Sequence, residues 1–549
     1  MPDLVLGPLL RYVGDTCAVV WAETDSACEV AVLGTKAKTF HVAGHHYAVV
    51  RAEGLKAGKR YEYEVELDGE RVWPLIDSPF PPSSFRARPK PPPLRIAFGS
   101  CRVGAPHEDP YTRPKDEHED GRELDPLRAL ALQMTGEDPD DWPDLLLLLG
   151  DQVYADEVSP QTREFVETKR DIDEEPGPIA LDFEEYTRLY RESWSDPVIR
   201  WLLSTVSTAM IFDDHDVHDD WNISAAWRAE MEATDWWEEH IIGAMMSYWI
   251  YQHAGNLSPD EQDDDGLLHR CHEAGDAEQL LRDFAKHSAH TTDGVRWSYH
   301  RDLDGTRLLV IDSRAGRCLA ESERSMLDPE EWQWVEDRMH GGFEHMLLAS
   351  SLPWLLAPGM HYLEAWNEAM CGGAWGSLAA NASEKLRQAL DLEHWAAFNE
   401  SFERLAELQR SLGAGERGDA PTTIVTLSGD VHHAYLSEVG FRRGSGVTSN
   451  VYQAVCSPLR NPLNRRERYT IKAAASKPAH ALTRALSRAA GVPEPSVHWR
   501  ALDDSPWFDN QVASLWIEGR EIEMRLDKAI PGPSDEQPRL ERVLRRPLA

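Results

Sequence analysis

The decapeptide LLLLLGDQVY, residues 145–154, decides the fold. Its first half is a run of five leucines, which is too short for the core of a helix and too uniformly apolar for a strand with one face in water. Such a run is typical of a strand buried on both faces, as in the parallel sheets of α/β proteins. The second half places Asp151 and Tyr154 at the end of this strand, and Gly150 allows the backbone to approach a site closely.

Five further short apolar runs repeat this pattern along the chain. They are residues 94–98, 209–212, 308–311, 346–349 and 424–427. Helices are predicted in the intervening segments 183–194, 229–253, 329–339 and 379–409. Because strands alternate with helices, the sequence favours a layered α/β domain.

Side chains that bind metals or phosphate follow four of these other runs, at the point where each run ends. The four motifs are Gly99-Ser100-Cys101-Arg102, Asp213-Asp214-His215-Asp216, Asp312-Ser313-Arg314 and Ser428-Gly429-Asp430-Val431-His432. In open α/β sheets, ligands bind outside the carboxyl ends of the strands. Carboxylates gathered at one edge repel one another unless cations neutralise them. We therefore expect a metal cluster at this edge, although any single aspartate could instead cap the helix that follows it.

The first 85 residues predict a β domain. Short β-branched or aromatic runs at 16–22, 28–33, 46–52 and 60–67 are separated by Gly and Asp turns. This spacing is typical of a β-sandwich of the immunoglobulin or fibronectin type III class. A proline-rich linker is predicted over residues 86–93, and the α/β domain over residues 94–549.

Composition excludes several classes of function. The 549 residues include 57 Lys and Arg against 94 Asp and Glu, a net charge of −37, which argues against a surface that coats nucleic acid or a polybasic membrane anchor. No window approaches the ~20 apolar residues of a membrane helix. The seven cysteines form no CxxC pair, so we expect no disulfide framework.

Since the first residues lack the features of a secretory or twin-arginine leader, we expect a cytoplasmic protein, or an exported one if a leader was removed.

One segment reverses the overall charge. Residues 459–500 contain nine basic and two acidic side chains. Such a segment could lie over the site and attract an anionic polymer or a lipid head group. It could also be a solvated helical region that balances the acidic body, and we favour this second interpretation.

In this order, the motifs GSC, GDQVY, DDH and SGDVH resemble those of the alkaline phosphatase D (PhoD-like) family of calcineurin-like metallophosphatases. GDQVY is also similar to the GDxxY element of the purple acid type. The resemblance runs by motif order from about residue 94 to residue 458, and it fits the N-terminal β-sandwich. It implies a four-layer α/β/β/α metallophosphatase domain. It also implies hydrolysis of phosphate mono- or diesters by in-line attack of a metal-bound hydroxide.

The resemblance further implies a set of metal ligands at the strand ends: Cys101, Asp151, Tyr154, Asp214, Asp430 and His432. Asp151 would bridge two metals. A thiolate and a phenolate suit Fe(III), and both are deprotonated when they bind it. The oxygen ligands of Asp214 and Asp430 suit a hard cation such as Ca²⁺, or another divalent metal.

Three residues would act on the substrate if the resemblance holds. His215 would be the general acid or the electrostatic partner of the leaving oxygen, or would only orient Asp214. Arg102 and Arg314 would clamp the phosphate, although Arg314 could instead pair with Asp312. The wider superfamily has one more histidine ligand without a clear equivalent here, and the candidates are His345, His361 and Ser351.

Two other functions would use the same chain. A nuclease or a phospholipase-type phosphodiesterase on this fold would use segment 459–500 as a substrate track. A non-enzymatic interaction protein would bind only calcium, but Cys101, Tyr154 and His432 are not ligands that calcium prefers. We expect phosphate-ester substrates and metal ions as partners, and no stable nucleic-acid partner.

Overall fold

A computed structural model describes residues 1–90, 92–534 and 537–549. Its strands are β1 (Leu4–Val13), β2 (Cys17–Thr24), β3 (Glu29–Val32), β4 (Thr35–Lys38), β5 (Phe40–Val42), β6 (His45–Glu53), β7 (Arg60–Glu62), β8 (Val65–Leu67), β9 (Glu70–Trp73), β10 (Ser84–Arg86), β11 (Leu94–Gly99), β12 (Leu145–Leu149), β13 (Ser207–Ile211), β14 (Tyr299–Leu303), β15 (Thr306–Val310), β16 (His345–Ala349), β17 (Thr423–Ser428), β18 (Tyr435–Phe441), β19 (Asn450–Val455), β20 (Val497–Ala501), β21 (Gln511–Glu518), β22 (Glu521–Ile530) and β23 (Arg539–Pro547).

Helices cover much of the remaining chain. They are α1 (Pro126–Met134), α2 (Pro160–Lys169), α3 (Phe183–Trp194), α4 (Pro197–Thr205), α5 (Ala225–Glu232), α6 (Trp237–Tyr251), α7 (Pro259–Asp265), α8 (Leu267–Ala274), α9 (Glu278–His290), α10 (Pro329–Arg338), α11 (Pro358–Cys371), α12 (Ser377–Ala389), α13 (Asn399–Gly413), α14 (Arg465–Ala474) and α15 (Lys477–Ala489). No helix in the described part of the chain combines the length and the apolar character needed to cross a membrane.

Two mixed sheets form the centre of the larger domain. One has the strand order β13-β12-β11-β21-β22-β23, and the other has the order β14-β15-β16-β17-β19-β18-β20. Alternate residues of one strand face different layers: Leu347 joins the core between the sheets, whereas Leu348 packs with the helix residues Trp332 and Phe402. The predicted α/β/β/α fold is therefore confirmed. Four of the six apolar runs lie within fully buried strands, and the runs 209–212 and 308–311 extend one residue beyond such strands.

The N-terminal β-sandwich consists of two four-stranded antiparallel sheets, β1-β2-β6-β5 and β4-β3-β8-β9. The first sheet is buried on both faces, since Val20 packs inside the sandwich and Trp21 packs against the larger domain. Arg11, fully buried, donates hydrogen bonds to the carbonyl oxygens of Tyr251 and Gln252, at the end of α6. The two parts of the chain thus share a core.

The domain boundaries 1–85, 86–93 and 94–549 stay predictions. Within the predicted linker, Lys90 forms an ion pair with Asp144 at 3.0 Å. Pro91 of the linker, and Asp535 and Glu536 near the C-terminus, lie outside the described residues.

Two helix predictions are wrong in the same way, because each predicted a single helix where the structure has two helices separated by a non-helical segment. The predicted helix 229–253 is divided between α5 and α6, where the hydroxyl of Thr234 bonds to the carbonyl oxygen of Met231 and so competes with helix propagation. The predicted helix 379–409 is divided between α12 and α13. There Asp391 has a φ of +48°, which an L-residue cannot adopt inside a right-handed helix.

The basic segment 459–500 forms α14 and α15, and several of its side chains pair with acids. Arg465 lies 3.4 Å from Asp116, and Arg468 lies 3.5 Å from Glu123. Arg484 lies 2.8 Å from Glu494. These ion pairs favour the interpretation that the segment balances nearby acidic residues.

Candidate metal centre

The strand ends of both sheets meet at one edge, where several predicted ligands lie close together. Some of these residues also have an unusual backbone conformation. A positive φ, which is costly for residues other than glycine, occurs at Cys101 (+58°), Asp151 (+51°), Asp430 (+64°) and His432 (+50°). Backbone strain of this kind concentrates at functional sites. The turns after β11, β12 and β17 each carry at least one predicted ligand in this conformation.

The first group of ligands, which we call the thiolate cluster, comprises Cys101, Asp151, Tyr154 and His432. One ligand atom from each of Cys101, Asp151 and His432 lies within 4.8 Å of the others. The Tyr154 hydroxyl lies 3.4 Å from Oδ2 of Asp151 and accepts a hydrogen bond from Asn461 at 3.0 Å. Oδ1 of Asp151 is buried and has no hydrogen-bond partner among the described residues.

The thiolate cluster contains acids whose charged forms need compensation. Burial raises the pKa of the Cys101 thiol well above its ordinary value, and the neighbouring Asp151 raises it further. Burial likewise raises the pKa values of Asp151 and Tyr154. Burial lowers the pKa of His432 to about 4 and keeps its imidazole neutral. A thiol, a phenol and a carboxyl group that resist ionisation when alone become anions when a cation binds them.

The second group, the carboxylate cluster, comprises Asp213, Asp214 and Asp430, each with an oxygen within 4.8 Å of the others. Arg314 is fully buried among them: it pairs with Asp213 and lies 3.1 Å from Asp214. Arg314 also pairs with the buried carboxylate of Glu393. The protein therefore supplies part of the positive charge that this cluster needs.

His394 is the second cationic partner of the carboxylate cluster, and the sequence analysis missed it. Its Nε2 lies 3.0 Å from Oδ2 of Asp430, and its Nδ1 lies 2.8 Å from Oε1 of Glu364. Burial alone would lower the pKa of His394, but the contacts with Glu364 and Asp430 outweigh it and raise the pKa well above its ordinary value. His394 precedes SGDVH in the chain, in the interval where the additional histidine ligand was sought, but as a cation between two carboxylates it has no nitrogen lone pair for a metal.

The histidines considered for that position lie elsewhere. His345 is the first residue of β16, at the opposite end of the sheet, and its ring bonds to Thr423 and to the carbonyl oxygen of Gly519, both at 2.8 Å. His361 is buried, with ring centroids 4.7 Å from Phe402 and 4.9 Å from Trp499. The third candidate, Ser351, bonds to Ser313 at 2.8 Å.

His215 lies between the two clusters. Its Nδ1 is 2.9 Å from the carboxylate of Asp156, and its ring packs against Tyr154 with the centroids 4.8 Å apart. It also shares a group of ligand atoms with Asp151 and Asp214. Burial lowers the pKa of His215, but Asp156 raises it more strongly, so the pKa lies well above its ordinary value.

Asp216 organises the turn that carries Asp151, a role the sequence analysis did not assign. Its carboxylate accepts hydrogen bonds from the backbone N–H groups of Asp151 (2.9 Å), Gln152 (3.1 Å), Val153 (3.2 Å) and Asp213 (2.9 Å). Asp216 thereby ties the ends of β12 and β13 together. The signal for this role was its position in the motif DDHD, directly after a buried strand.

The predicted phosphate clamp needs correction at both arginines. Arg102 is buried and its guanidinium is already occupied: Nε and Nη2 donate to Asp125, and Nη1 donates to the carbonyl oxygen of Ser193 at 2.9 Å. Arg314 does not pair with Asp312 through its side chain, yet its burial among carboxylates leaves it no exposed face. Both were predicted to clamp phosphate because a guanidinium fork matches two phosphate oxygens, and the sequence does not reveal which carboxylates pair with them instead.

The residues of both clusters fit metal ions. Sulfur, phenol, imidazole and carboxylate donors in the thiolate cluster suit a trivalent or borderline metal, and the oxygen donors of Asp214 and Asp430 suit a hard cation. Three buried carboxylate oxygens of the two clusters, Oδ1 of Asp151, Oδ2 of Asp213 and Oδ1 of Asp214, have no hydrogen-bond partner in the described ranges. Buried oxygens of this kind require a cation or an ordered donor.

A layered α/β sandwich with these donors at its strand ends has the character of a metal-dependent phosphatase. The family model described as PhoD-like phosphatase matches residues 132–494, and the chain belongs to the PhoD-like phosphatase family. The resemblance inferred from the motifs is thus confirmed. A domain of unknown function, DUF7800, matches residues 1–85.

Solved structures resemble this chain in fold. A structure titled "Structure of PhoD" is 14% identical, covers 98% of this chain and 88% of its own, and has a TM-score of 0.58. Purple acid phosphatase PPD1 from yellow lupin (Lupinus luteus) seeds is 10% identical, with coverage of 95% and 71% and a TM-score of 0.46. None of the curated proteins compared with the chain matches it.

Proposed function

We propose that this phosphatase hydrolyses phosphate mono- and diesters at a two-metal centre formed by the thiolate and carboxylate clusters. The observation that carries the proposal is the convergence of Cys101, Asp151 and His432 within 4.8 Å. These residues come from three strand ends that are distant in sequence, and one oxygen of Asp151 is buried without a hydrogen-bond partner among the described residues.

Each cluster would hold one metal, with Asp151 between them. The thiolate cluster suits Fe(III), and Asp214 and Asp430 suit Ca²⁺. When bound, such cations neutralise charge on the phosphoryl oxygens and make water near the phosphorus more acidic.

His215 would assist departure of the alcohol. Because its Nδ1 bonds to Asp156, Nε2 is the nitrogen left to donate a proton to the leaving oxygen. The nearest acid to Nε2 is Asp219, at 3.9 Å, which is too long for a hydrogen bond. Asp156 therefore orients the imidazole and leaves its other nitrogen available.

Arg314 and His394 would set the charge of the carboxylate cluster. Their two positive charges offset part of the charge of Asp213, Asp214 and Asp430, and a bound divalent cation would neutralise more of it. A nuclease that tracks its substrate along segment 459–500 is less favoured, because the segment's ion pairs already engage Arg465, Arg468 and Arg484.

Metal analysis combined with a hydrolysis assay tests the proposal. The purified protein is measured for iron and calcium, and then assayed with p-nitrophenyl phosphate and bis(p-nitrophenyl) phosphate before and after chelation. We expect bound iron, a visible tyrosinate-to-iron absorption band and loss of hydrolysis on chelation. Protein that contains neither metal and still hydrolyses both esters after chelation would exclude a two-metal centre.

A further inference from the structure

A cleft of about 350 Å³ lies beside the thiolate cluster. Two of its walls come from residues 103–106 and from residues 152–154 and 157–161, which begin two residues after Cys101 and one residue after Asp151. Tyr154 belongs both to this cleft and to the thiolate cluster. The cleft therefore adjoins the site where phosphorus would react.

Buried hydrogen bonds fix the shape of the cleft. Arg102 donates to the carbonyl oxygen of Ser193, whose hydroxyl donates to the carbonyl oxygen of Gln152, both at 2.9 Å. A Cβ at Gly104 would lie 2.7 Å from Cα of Ser193, so only glycine allows this wall to approach α3 so closely. Arg460 is buried and donates to the carbonyl oxygen of Pro106 at 2.9 Å. The cleft is thus formed before any ligand enters, as small-molecule sites usually are.

The lining suits an organic group rather than a second phosphate. Val153, Val158 and Leu189 supply an apolar surface, and Tyr111 and Tyr154 add aromatic rings. The charged side chains at its rim have both signs: Asp120, Glu157 and Glu192 against Arg122 and Arg163. Because the rim has no excess of positive charge, it has no electrostatic preference for another anion.

The position of His215 indicates which ester group would occupy the cleft. His215, which would donate the proton to the leaving oxygen, packs against the ring of Tyr154. It is not among the described residues that line the cleft, whereas Tyr154 is. The leaving alcohol at His215 and a group in the cleft would therefore be different substituents of one phosphorus. A phosphodiester has two such substituents, and a monoester has only one.

We propose that the cleft binds the retained alcohol group of a phosphodiester, and that the preferred substrates are diesters whose retained group is of aryl or nucleoside size with an apolar face. This inference rests on the proposed phosphoesterase function. It names Val158 and Leu189 as residues that determine specificity, and it gives Arg102 and Arg460 a positioning role in the walls of the cleft.

The test compares two diesters that share a leaving group and differ only in the retained group: bis(p-nitrophenyl) phosphate and methyl p-nitrophenyl phosphate. Val158→Trp would fill the cleft. We expect it to reduce kcat/KM for the aryl diester about tenfold or more, mainly through KM, and to leave the methyl diester within about twofold. For each diester, kcat/KM of the variant is divided by kcat/KM of the wild type, so that the difference in intrinsic reactivity between the two esters cancels. Val158→Phe should give an intermediate ratio.

Val72→Trp, at a partly buried position in the N-terminal domain, is the matched control and should leave the ratio unchanged. If Val158→Trp and Val158→Phe fold with their metals and change both diesters equally, or change neither, the cleft does not bind the retained group. Failure of the proposed function has a different signature, because wild-type protein loaded with iron and calcium would then hydrolyse neither diester.

Discussion

The thiolate cluster and the carboxylate cluster lie side by side but are neutralised in different ways. Each cluster has a buried carboxylate oxygen without a hydrogen-bond partner among the described residues, Oδ1 of Asp151 in the first and Oδ2 of Asp213 in the second. In the thiolate cluster, the ionisable donors surround the position where a metal would sit. In the carboxylate cluster, Arg314 and His394 already contact the aspartates. We therefore expect the first cluster to need a metal for its charge balance, whereas the second is partly balanced by the protein itself.

This difference leads to an ordering of expected effects. Removing Asp151, which belongs to the thiolate cluster and also lies close to Asp214 of the carboxylate cluster, should do the most damage. Changing one cluster alone should affect mainly its own metal, and changing the supporting residues should alter a rate or a stability without removing a metal.

The largest effect is expected for Asp151→Asn. This variant loses the anionic ligand placed between the two clusters, so both metals should be lost and turnover should fall on the order of a thousandfold or more. The measurements are steady-state rates, elemental analysis and far-UV circular dichroism, which should show a retained fold. Asp173→Asn, at an exposed position in an acidic loop, is the control and should behave like the wild type. A wild-type rate in Asp151→Asn would reject the bridging role.

The next test separates the two clusters. Tyr154→Phe keeps the ring that packs against His215 but removes the phenolate, so iron affinity should fall about 10- to 100-fold while calcium is retained. His394→Gln should leave iron unchanged and strengthen calcium binding, because it removes a positive charge that competes with the metal for Asp430. Elemental analysis and visible absorption report the two metals independently. If the two variants lose the same metal to the same extent, the clusters do not hold separate ions.

A smaller and selective effect is expected for Asp156→Asn, which removes the charge that orients His215. The rate should fall most, by about 100-fold, for esters with poor leaving groups that need a proton donor. It should change little for p-nitrophenyl esters. The check is a plot of log kcat against the pKa of the leaving alcohol for both proteins. Parallel lines would mean that His215 has only a structural role.

The smallest effect on activity is expected at Glu331, behind the turn that carries Arg314. Burial raises the pKa of Glu331 to about 8, and the neighbouring Asp312 adds to the effect. An acid with a raised pKa in the folded state favours folding while it is protonated. The wild type should therefore lose a few kcal/mol of unfolding free energy as the pH rises from about 4.5, the pKa of Glu331 in the unfolded chain, to about 8, its pKa in the folded protein.

Glu331→Gln should remove this loss, since its carbonyl oxygen can still accept the hydrogen bond from the backbone N–H of Ser298. Thermal unfolding at pH 5 and pH 9 measures the effect: the variant should gain stability over the wild type only at pH 9. Glu330→Gln, at the exposed position next to Glu331, is the control and should behave like the wild type at both pH values. An equal difference between Glu331→Gln and wild type at both pH values would contradict the assigned pKa.

The sequence predicted most of the fold because each central strand is a compact apolar run, and residues 145–149 were predicted with the correct ends. It also predicted which strand ends carry polar groups, since Cys101, Asp151, Asp214 and Asp430 follow those runs directly. Those predictions needed only local patterns and the rule that parallel strands end at one edge of a sheet.

The missed residues share a physical reason. His394 lies in the break between α12 and α13, and a periodic helical pattern over residues 379–409 concealed that break. Arg102 and Arg314 were predicted to bind phosphate, but the partners that occupy them, Asp125 and Glu393, are distant in sequence. Local pattern identifies a charged side chain, whereas only the tertiary structure identifies which opposite charge it meets.

The most direct test of the two-metal account is anomalous diffraction from crystals of the metal-loaded protein, with data collected on both sides of the iron absorption edge. The account predicts an iron peak bounded by Sγ of Cys101, Oη of Tyr154, Asp151 and His432, and a second, lighter ion beside Asp214 and Asp430. An iron peak elsewhere in the molecule, or no ordered metal between these side chains in protein that is active, would contradict it.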